Sequence, residues 1–158
     1  MKHVKLKMKI QLNNKILLNN LTVTNEFSYS LAKIAMPSDI FCLIGDLGAG
    51  KTIIAKGFGK FFNVNEEITS PTFTIYKNYT TGNDKILRLH HFDLYRIKSV
   101  NELEDIGFFE AINDESAITL IEWPEVALKL LNRKHYIVNL YKNDNEFERI
   151  VSVSINEK

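Results

Sequence analysis

The run Gly45-Asp46-Leu47-Gly48-Ala49-Gly50-Lys51-Thr52 has the residue types and spacing to hold a chain of phosphates. It reads G-x-x-x-x-G-K-T, a phosphate-binding loop. Its glycines let successive backbone N–H groups turn toward one point and form an anion nest. A helix that opens directly after the loop adds its positive N-terminal end. In such a loop the lysine, here Lys51, reaches the β- and γ-phosphates, and the hydroxyl of Thr52 binds Mg²⁺. The candidate nucleotide-binding stretch is therefore Gly45 to Thr52, with Ile53 next to it. Lys51 is expected to be exposed while the site is empty, so that its removal costs little stability.

A nucleotide site also needs carboxylates. Mg²⁺ is a hard ion that takes oxygen ligands, and the acidic element of these sites usually follows an apolar strand. Two residues qualify. Glu122 follows Ala117-Ile118-Thr119-Leu120-Ile121, and Asp93 follows the less apolar Leu87-Arg88-Leu89-His90-His91-Phe92. Glu122 is the better metal-side carboxylate, directly or through water. Asp93 is then the residue that positions the attacking water, although a turn-capping Asp is the plainer reading. Ser70-Pro71-Thr72 is either a loop near the γ-phosphate or an ordinary turn. His90 and His91 lack zinc-ligand spacing and read as strand residues that pack or face solvent. Trp123 is core or a platform beside the site.

These groups need strands to carry them. Ile40-Phe41-Cys42-Leu43-Ile44 is a short apolar run, as a buried parallel strand should be. Thr52 to Phe62 follows with apolar residues at helical spacing. Upstream, Val4 to Leu12 alternates as a half-buried strand, and Lys15 to Val23 extends it after an Asn13-Asn14 turn. A helix capped by Thr24 carries Phe27, Leu31 and Ile34, and Pro37-Ser38-Asp39 ends it. Asn63 to Ser70 is a polar connection. Thr72 to Tyr79 and Lys85 to Phe92 form a hairpin. A short helix over Val100, Leu103 and Ile106 stops at Gly107. Pro124 to Leu131 is a helix with Pro at its first position. His135 to Tyr141 pairs with Phe147 to Ile155. The pattern predicts an α/β fold, a three-layer sandwich with a mixed, partly antiparallel sheet, whose ligands bind beyond the carboxyl ends of the strands.

The chain has 158 residues, 45% of them hydrophobic and 25% charged, which suits one ordinary globular domain over 1–158, with 1–20 as an N-terminal strand addition. A net charge of +1 argues against a domain-wide basic surface for nucleic acid. Cys42, the single cysteine, reads as a small core residue in a reducing compartment. No apolar stretch approaches the roughly 20 residues of a membrane span, and the basic N-terminus lacks the apolar core of a signal peptide. A cytoplasmic protein is expected. Guanine specificity has no support, since no Asn-Lys-x-Asp run occurs. Arginines are few and no Arg-rich lid is visible, which weakens a kinase reading and fits a slow hydrolase that relies on a partner. A small-molecule kinase and a nucleotide-controlled binding switch remain the alternatives.

Further motifs follow the loop in order: SPTFT (Ser70 to Thr74), HFDLYR (His91 to Arg96), ELEDIG (Glu102 to Gly107) and IEWP (Ile121 to Pro124). From Leu21 to Leu131 the chain resembles the TsaE (YjeE) family, the bacterial ATPases of tRNA threonylcarbamoyladenosine biosynthesis. HFDLYR and IEWP after SPTFT are the specific part of the match. The resemblance implies a phosphate-loop fold with antiparallel additions, an ATPase weak on its own, and ATP or ADP with Mg²⁺ as cofactors. It implies assembly with the TsaD and TsaB proteins, contact with tRNA only indirectly, and no membrane. It makes Thr52 and Glu122 the Mg²⁺ ligands, and Lys51 and Asp93 the catalytic pair. Ser28 falls where the family commonly has a Thr near the nucleotide. Ile53 departs from the family, which often has Thr or Ser there to contact the α-phosphate; helix packing is the plainer account of its apolar side chain.

Overall fold

The computed structural model describes residues 8–157. In chain order the elements are β1 (Lys15–Leu18), α1 (Leu21–Lys33), β2 (Ile40–Ile44), α2 (Lys51–Phe61), β3 (Tyr76–Thr80), β4 (Arg88–Asp93), α3 (Val100–Asp105), α4 (Phe108–Ile112), β5 (Ala117–Glu122), α5 (Glu125–Leu128), β6 (His135–Lys142) and β7 (Arg149–Asn156). The seven strands make one sheet in the order β1-β7-β6-β2-β5-β4-β3. β6, β2, β5 and β4 run parallel at its centre, while β3, β7 and β1 add antiparallel edges. The expected mixed α/β sandwich is therefore the fold.

Helices cover both faces, so β2 and β5 are buried almost end to end and are chiefly apolar. On one face Phe41, Leu43, Leu89 and Leu120 pack beneath α1 and α2 with Phe27, Leu31, Ile54 and Phe58. On the other, Ile40, Cys42, Phe92 and Ile121 pack against α3, α4 and α5 through Leu103, Phe108 and Ala127. Cys42 is a core residue as expected, and burial pushes its thiol up to about 12.

Several sequence expectations need correction. Part of the proposed Val4 to Leu12 strand lies outside the described residues. Its remainder, 8–11, is not strand, and Leu12 makes a single bridge to Val153. Strand β1 ends at Leu18, because Asn20 rather than Thr24 caps the following helix: its Oδ1 accepts the Val23 N–H at 2.9 Å. Thr24 lies inside α1. The strand expected from Thr72 begins only at Tyr76, after a turn in which Ile75 has φ 66° and donates its N–H to the Pro71 carbonyl. Pro124 sits at the cap of α5, which is a single turn and not a helix reaching Leu131. Helix α4 was missed, because Gly107 at φ 71° stops one short helix and starts the next.

Helices α1 and α2 touch at Gly57. A Cβ there would meet the Ser28 side chain and lie 3.0 Å from the Ser28 backbone carbonyl carbon. Neither helix can yield without disturbing the phenylalanines beneath. Gly57→Ala is expected to cost about 1–3 kcal/mol through overpacking, read as a lower denaturation midpoint in urea.

Candidate functional site

The loop between β2 and α2 is held open by glycine. Gly48 (φ 77°) and Gly50 (φ 104°) occupy the left-handed region, where a side chain would be strained. Gly45 is fixed by contact: a Cβ on it would fall 2.7 Å from the Leu140 carbonyl oxygen of β6. The hairpin strand β7 braces the loop from outside, since Arg149 donates to the Gly48 carbonyl at 3.1 Å. The loop backbone is therefore shaped by its own sequence and clamped by β6 and β7.

Parallel register does the rest. Leu43 of β2 and Asp93 of β4 are both paired with Glu122 of β5, so the loop and both carboxylates stand level at the same edge of the sheet. The structure brings Lys51, Thr52, Asp93 and Glu122 together there. Thr52 Oγ1 donates to Glu122 Oε1 at 3.3 Å. Two ligands at right angles on one Mg²⁺ lie about 3 Å apart, so this oxygen pair fits the ion that the fold implies. Among the described residues no cluster of three or more His, Cys, Asp or Glu could cage a metal.

Asp93 is buried and held at both oxygens. Thr72 Oγ1 donates to Oδ2 at 2.8 Å, and the Tyr95 N–H donates to Oδ1 at 3.0 Å. Ser70-Pro71-Thr72 is thus a turn and also the loop that touches the candidate catalytic acid. Trp123, at φ 53°, is a platform: its ring centroid lies 4.3 Å from Lys51 Nζ.

Lys51 departs from expectation. It is 5% exposed, not open to solvent. Its ammonium turns back on the loop, donating to the Gly45 carbonyl and, at 3.0 Å, to the Asp46 carbonyl, under the Trp123 ring. Burial lowers its pKa, against the charges of Glu122, Asp93, Asp46 and Glu125. The physical reason is that a buried cation needs acceptors, and the loop carbonyls of Gly45 and Asp46 supply them.

The histidines also resolve. His90 points to the α3–α5 face, where it bonds Tyr76 and Asp114; burial lowers its pKa. His91 is fully buried on the site face, with Nε2 2.8 Å from Glu122 Oε1. Among the described residues its Nδ1 has no hydrogen-bond partner. Sequence reasoning missed this contact, although the His-x-Asp spacing in a strand already puts His91 on the face of Asp93.

Beside the loop opens a cleft of about 310 Å³, lined by Asn20, Leu21 and Thr24 of the α1 start, by Gly48, Gly50 and Ile53, and by Glu146, Phe147 and Arg149 of the last hairpin. Ser28 does not line it. That hydroxyl is buried one turn deeper, donating to the Thr24 and Asn25 carbonyls. Thr24 is the hydroxyl residue of α1 that reaches the cleft. Ile53 lines the cleft rather than the helix-packing core. The hairpin residues carried no signal, because a turn of mixed polar residues looks like any other.

A family model for the threonylcarbamoyl adenosine biosynthesis protein TsaE matches residues 18–151. The tRNA threonylcarbamoyladenosine biosynthesis protein TsaE of Rickettsia conorii is 39% identical over 142 residues, which cover 89% of this chain and 78% of that protein. Its Bacillus subtilis namesake is 33% identical over 141 residues, 87% and 85% of the two chains. A crystal structure of Bacillus subtilis YdiB superposes with a TM-score of 0.70 at 28% identity, covering 92% of this chain and 86% of that one.

Placing a hydroxyl at the cleft position of Ile53 should add a phosphate contact. Ile53→Ser is expected to tighten ATP binding about twofold to tenfold, the range of one net hydrogen bond, measured by titration calorimetry. Equal or weaker binding would show that no phosphate oxygen comes within reach of that position.

Proposed function

We propose, because this chain belongs to the TsaE family of threonylcarbamoyl adenosine biosynthesis proteins, that it hydrolyses ATP with Mg²⁺ in support of that tRNA modification. The observation that carries this reading is the meeting of Lys51, Thr52, Asp93 and Glu122 at one sheet edge, over a loop built to take phosphates. By family resemblance the protein acts with TsaD and TsaB, and meets tRNA only through them. A tRNA-modifying role fits a cytoplasmic location. No helix among the described residues is long and apolar enough to cross a membrane.

The residues divide the work. The loop N–H groups and the α2 N-terminus bind the phosphates. Lys51 exchanges the Gly45 and Asp46 carbonyls for the β- and γ-phosphate oxygens. Thr52 and Glu122 hold Mg²⁺, which when bound neutralises charge on the phosphates. Asp93, fixed by Thr72 and the Tyr95 N–H, orients the attacking water at the γ-phosphate. Trp123 covers Lys51 and keeps bulk water from this edge. The cleft between Thr24 and the Phe147 hairpin receives the nucleoside. By family resemblance, turnover by the isolated protein is slow and a partner raises it.

Calorimetry should show ATP and ADP binding that strengthens with Mg²⁺. Lys51→Met, which keeps the buried stem, should remain folded and lose binding by at least tenfold. Asp93→Asn should bind ATP with near-native affinity while hydrolysis with the partners falls by about 10²–10⁴-fold, the usual worth of a positioned acid or base. Deleting the gene should deplete threonylcarbamoyladenosine from bulk tRNA. Absence of any nucleotide binding would reject the ATPase reading, and unchanged nucleoside levels would reject the pathway. A tRNA product that persists with Asp93→Asn in reconstitution would mean that nucleotide binding, and not hydrolysis, is what the cycle needs.

A further inference from the structure

Resting on the Mg²⁺-ATP reading of this site, we propose that His91 is a positioning residue for the metal: its Nε2–H locks the Glu122 carboxylate in the orientation that faces Thr52. His91 lies two residues before Asp93, so the strand alternation turns it to the same face of β4. Across the strand pair its direct neighbour is Leu120, and the ring reaches diagonally to Glu122. The contact is dry, with the two side chains 0% and 4% exposed. Glu122 is the acceptor and Nδ1 faces no partner, so the ring hydrogen sits on Nε2 and points at Oε1.

Two features favour a role directed at the metal over simple packing. First, Leu89 and Leu120 beside it on this face are apolar, and Lys77, opposite it on β3, turns its ammonium to the Thr69 hydroxyl instead. An apolar residue would fill the position without leaving a buried ring nitrogen unpaired. The imidazole is worth its cost only for the bond it makes to Glu122. Second, Oε1 is met by two donors, His91 at 2.8 Å and Thr52 at 3.3 Å. Thr52 can give an ion a lone pair of the same hydroxyl, so its 3.3 Å bond to Oε1 belongs to a group that itself moves with the ion. The shorter bond, from His91, comes from a ring buried away from the ion. A carboxylate turns easily about its terminal bond, and a donor fixed beneath it removes that freedom before the ion arrives. Outer partners of this kind typically change metal affinity by 10–100-fold.

The test is a Mg²⁺ titration at fixed ADP, with ADP binding in EDTA as the parallel measurement. His91→Phe keeps a buried ring and deletes the donor. Its half-saturating Mg²⁺ is expected to rise at least tenfold, while ADP affinity in EDTA stays within twofold of wild type. His91→Gln, whose amide nitrogen can stand in for Nε2, should recover most of the loss. In a Glu122→Gln background His91→Phe should change the Mg²⁺ titration no further, because the group it positions is already gone. An unchanged Mg²⁺ titration in His91→Phe overturns the proposal, as does an equal loss of ADP affinity in EDTA, which would mark a general structural role. If His91→Phe does not fold, His91→Asn, whose amide is too short to reach Glu122, takes its place with the same expected and overturning results. A wild-type protein whose ADP affinity ignores Mg²⁺ would overturn the metal reading and this proposal together. A Mg²⁺-dependent wild type beside an unaffected donor-less variant would overturn this proposal alone.

Discussion

The parallel register of β2, β5 and β4 is the constraint on which everything else in this structure rests. Leu43, Glu122 and Asp93 share one level across three strands. The glycine loop starts two residues beyond Leu43, so the loop and the two candidate carboxylates emerge together. The register is secured by burial on both faces of the sheet. A slip of one residue would exchange the two faces. Glu122, Asp93 and His91 would turn into the α3–α5 core, and Phe92 and Ile121 would turn toward the loop. Apolar packing far from the phosphates thus decides where the carboxylates stand.

Polar groups at this edge are satisfied mainly by one another. Glu122 takes hydrogen bonds from His91 and Thr52, Asp93 from Thr72 and the Tyr95 N–H, and Lys51 bonds the loop carbonyls. Burying polar groups without partners would cost several kcal/mol each, so the contacts seen here are a holding arrangement as well as a site. On the proposed reading, phosphate oxygens replace the lysine bonds, while the 2.8 Å bond from the buried His91 to Glu122 stays. Backbone strain at Ile75 and Trp123 falls in the same place. Those residues sit where the chain must bend sharply to bring Thr72 to Asp93 and the indole over Lys51.

Much of this was legible in the chain. An apolar strand, a glycine loop and a helix in succession are specified locally, because each depends on residues a few positions apart. The carboxylates after two apolar runs were legible for the same reason, as was the pairing of the last two strands. Other features were not. Thr24 was read as a cap because it precedes the helical apolar pattern, yet Asn20 makes the cap and Thr24 faces the cleft. Ser28 matched the family position in sequence, but helix periodicity turns it into the α1–α2 contact at Gly57. The sequence of Thr72 to Ile75 suits a strand, yet its hydrogen bonds go to Pro71 and Asp93 instead.

From its own residues the chain determines a loop whose glycines tolerate left-handed backbone and whose lysine and threonine follow at fixed positions, the arrangement on which the proposed phosphate binding rests. It also determines which strands are buried, since an uninterrupted apolar run has no face to give to water. Only the tertiary structure decided which side chains meet. The burial of Lys51 under Trp123, the His91 bond to Glu122, and the cleft closed by a hairpin about 100 residues beyond the loop join parts of the chain with no local relation. Those contacts follow from strand order and register, which are set by how the whole apolar surface packs and not by any one stretch of sequence.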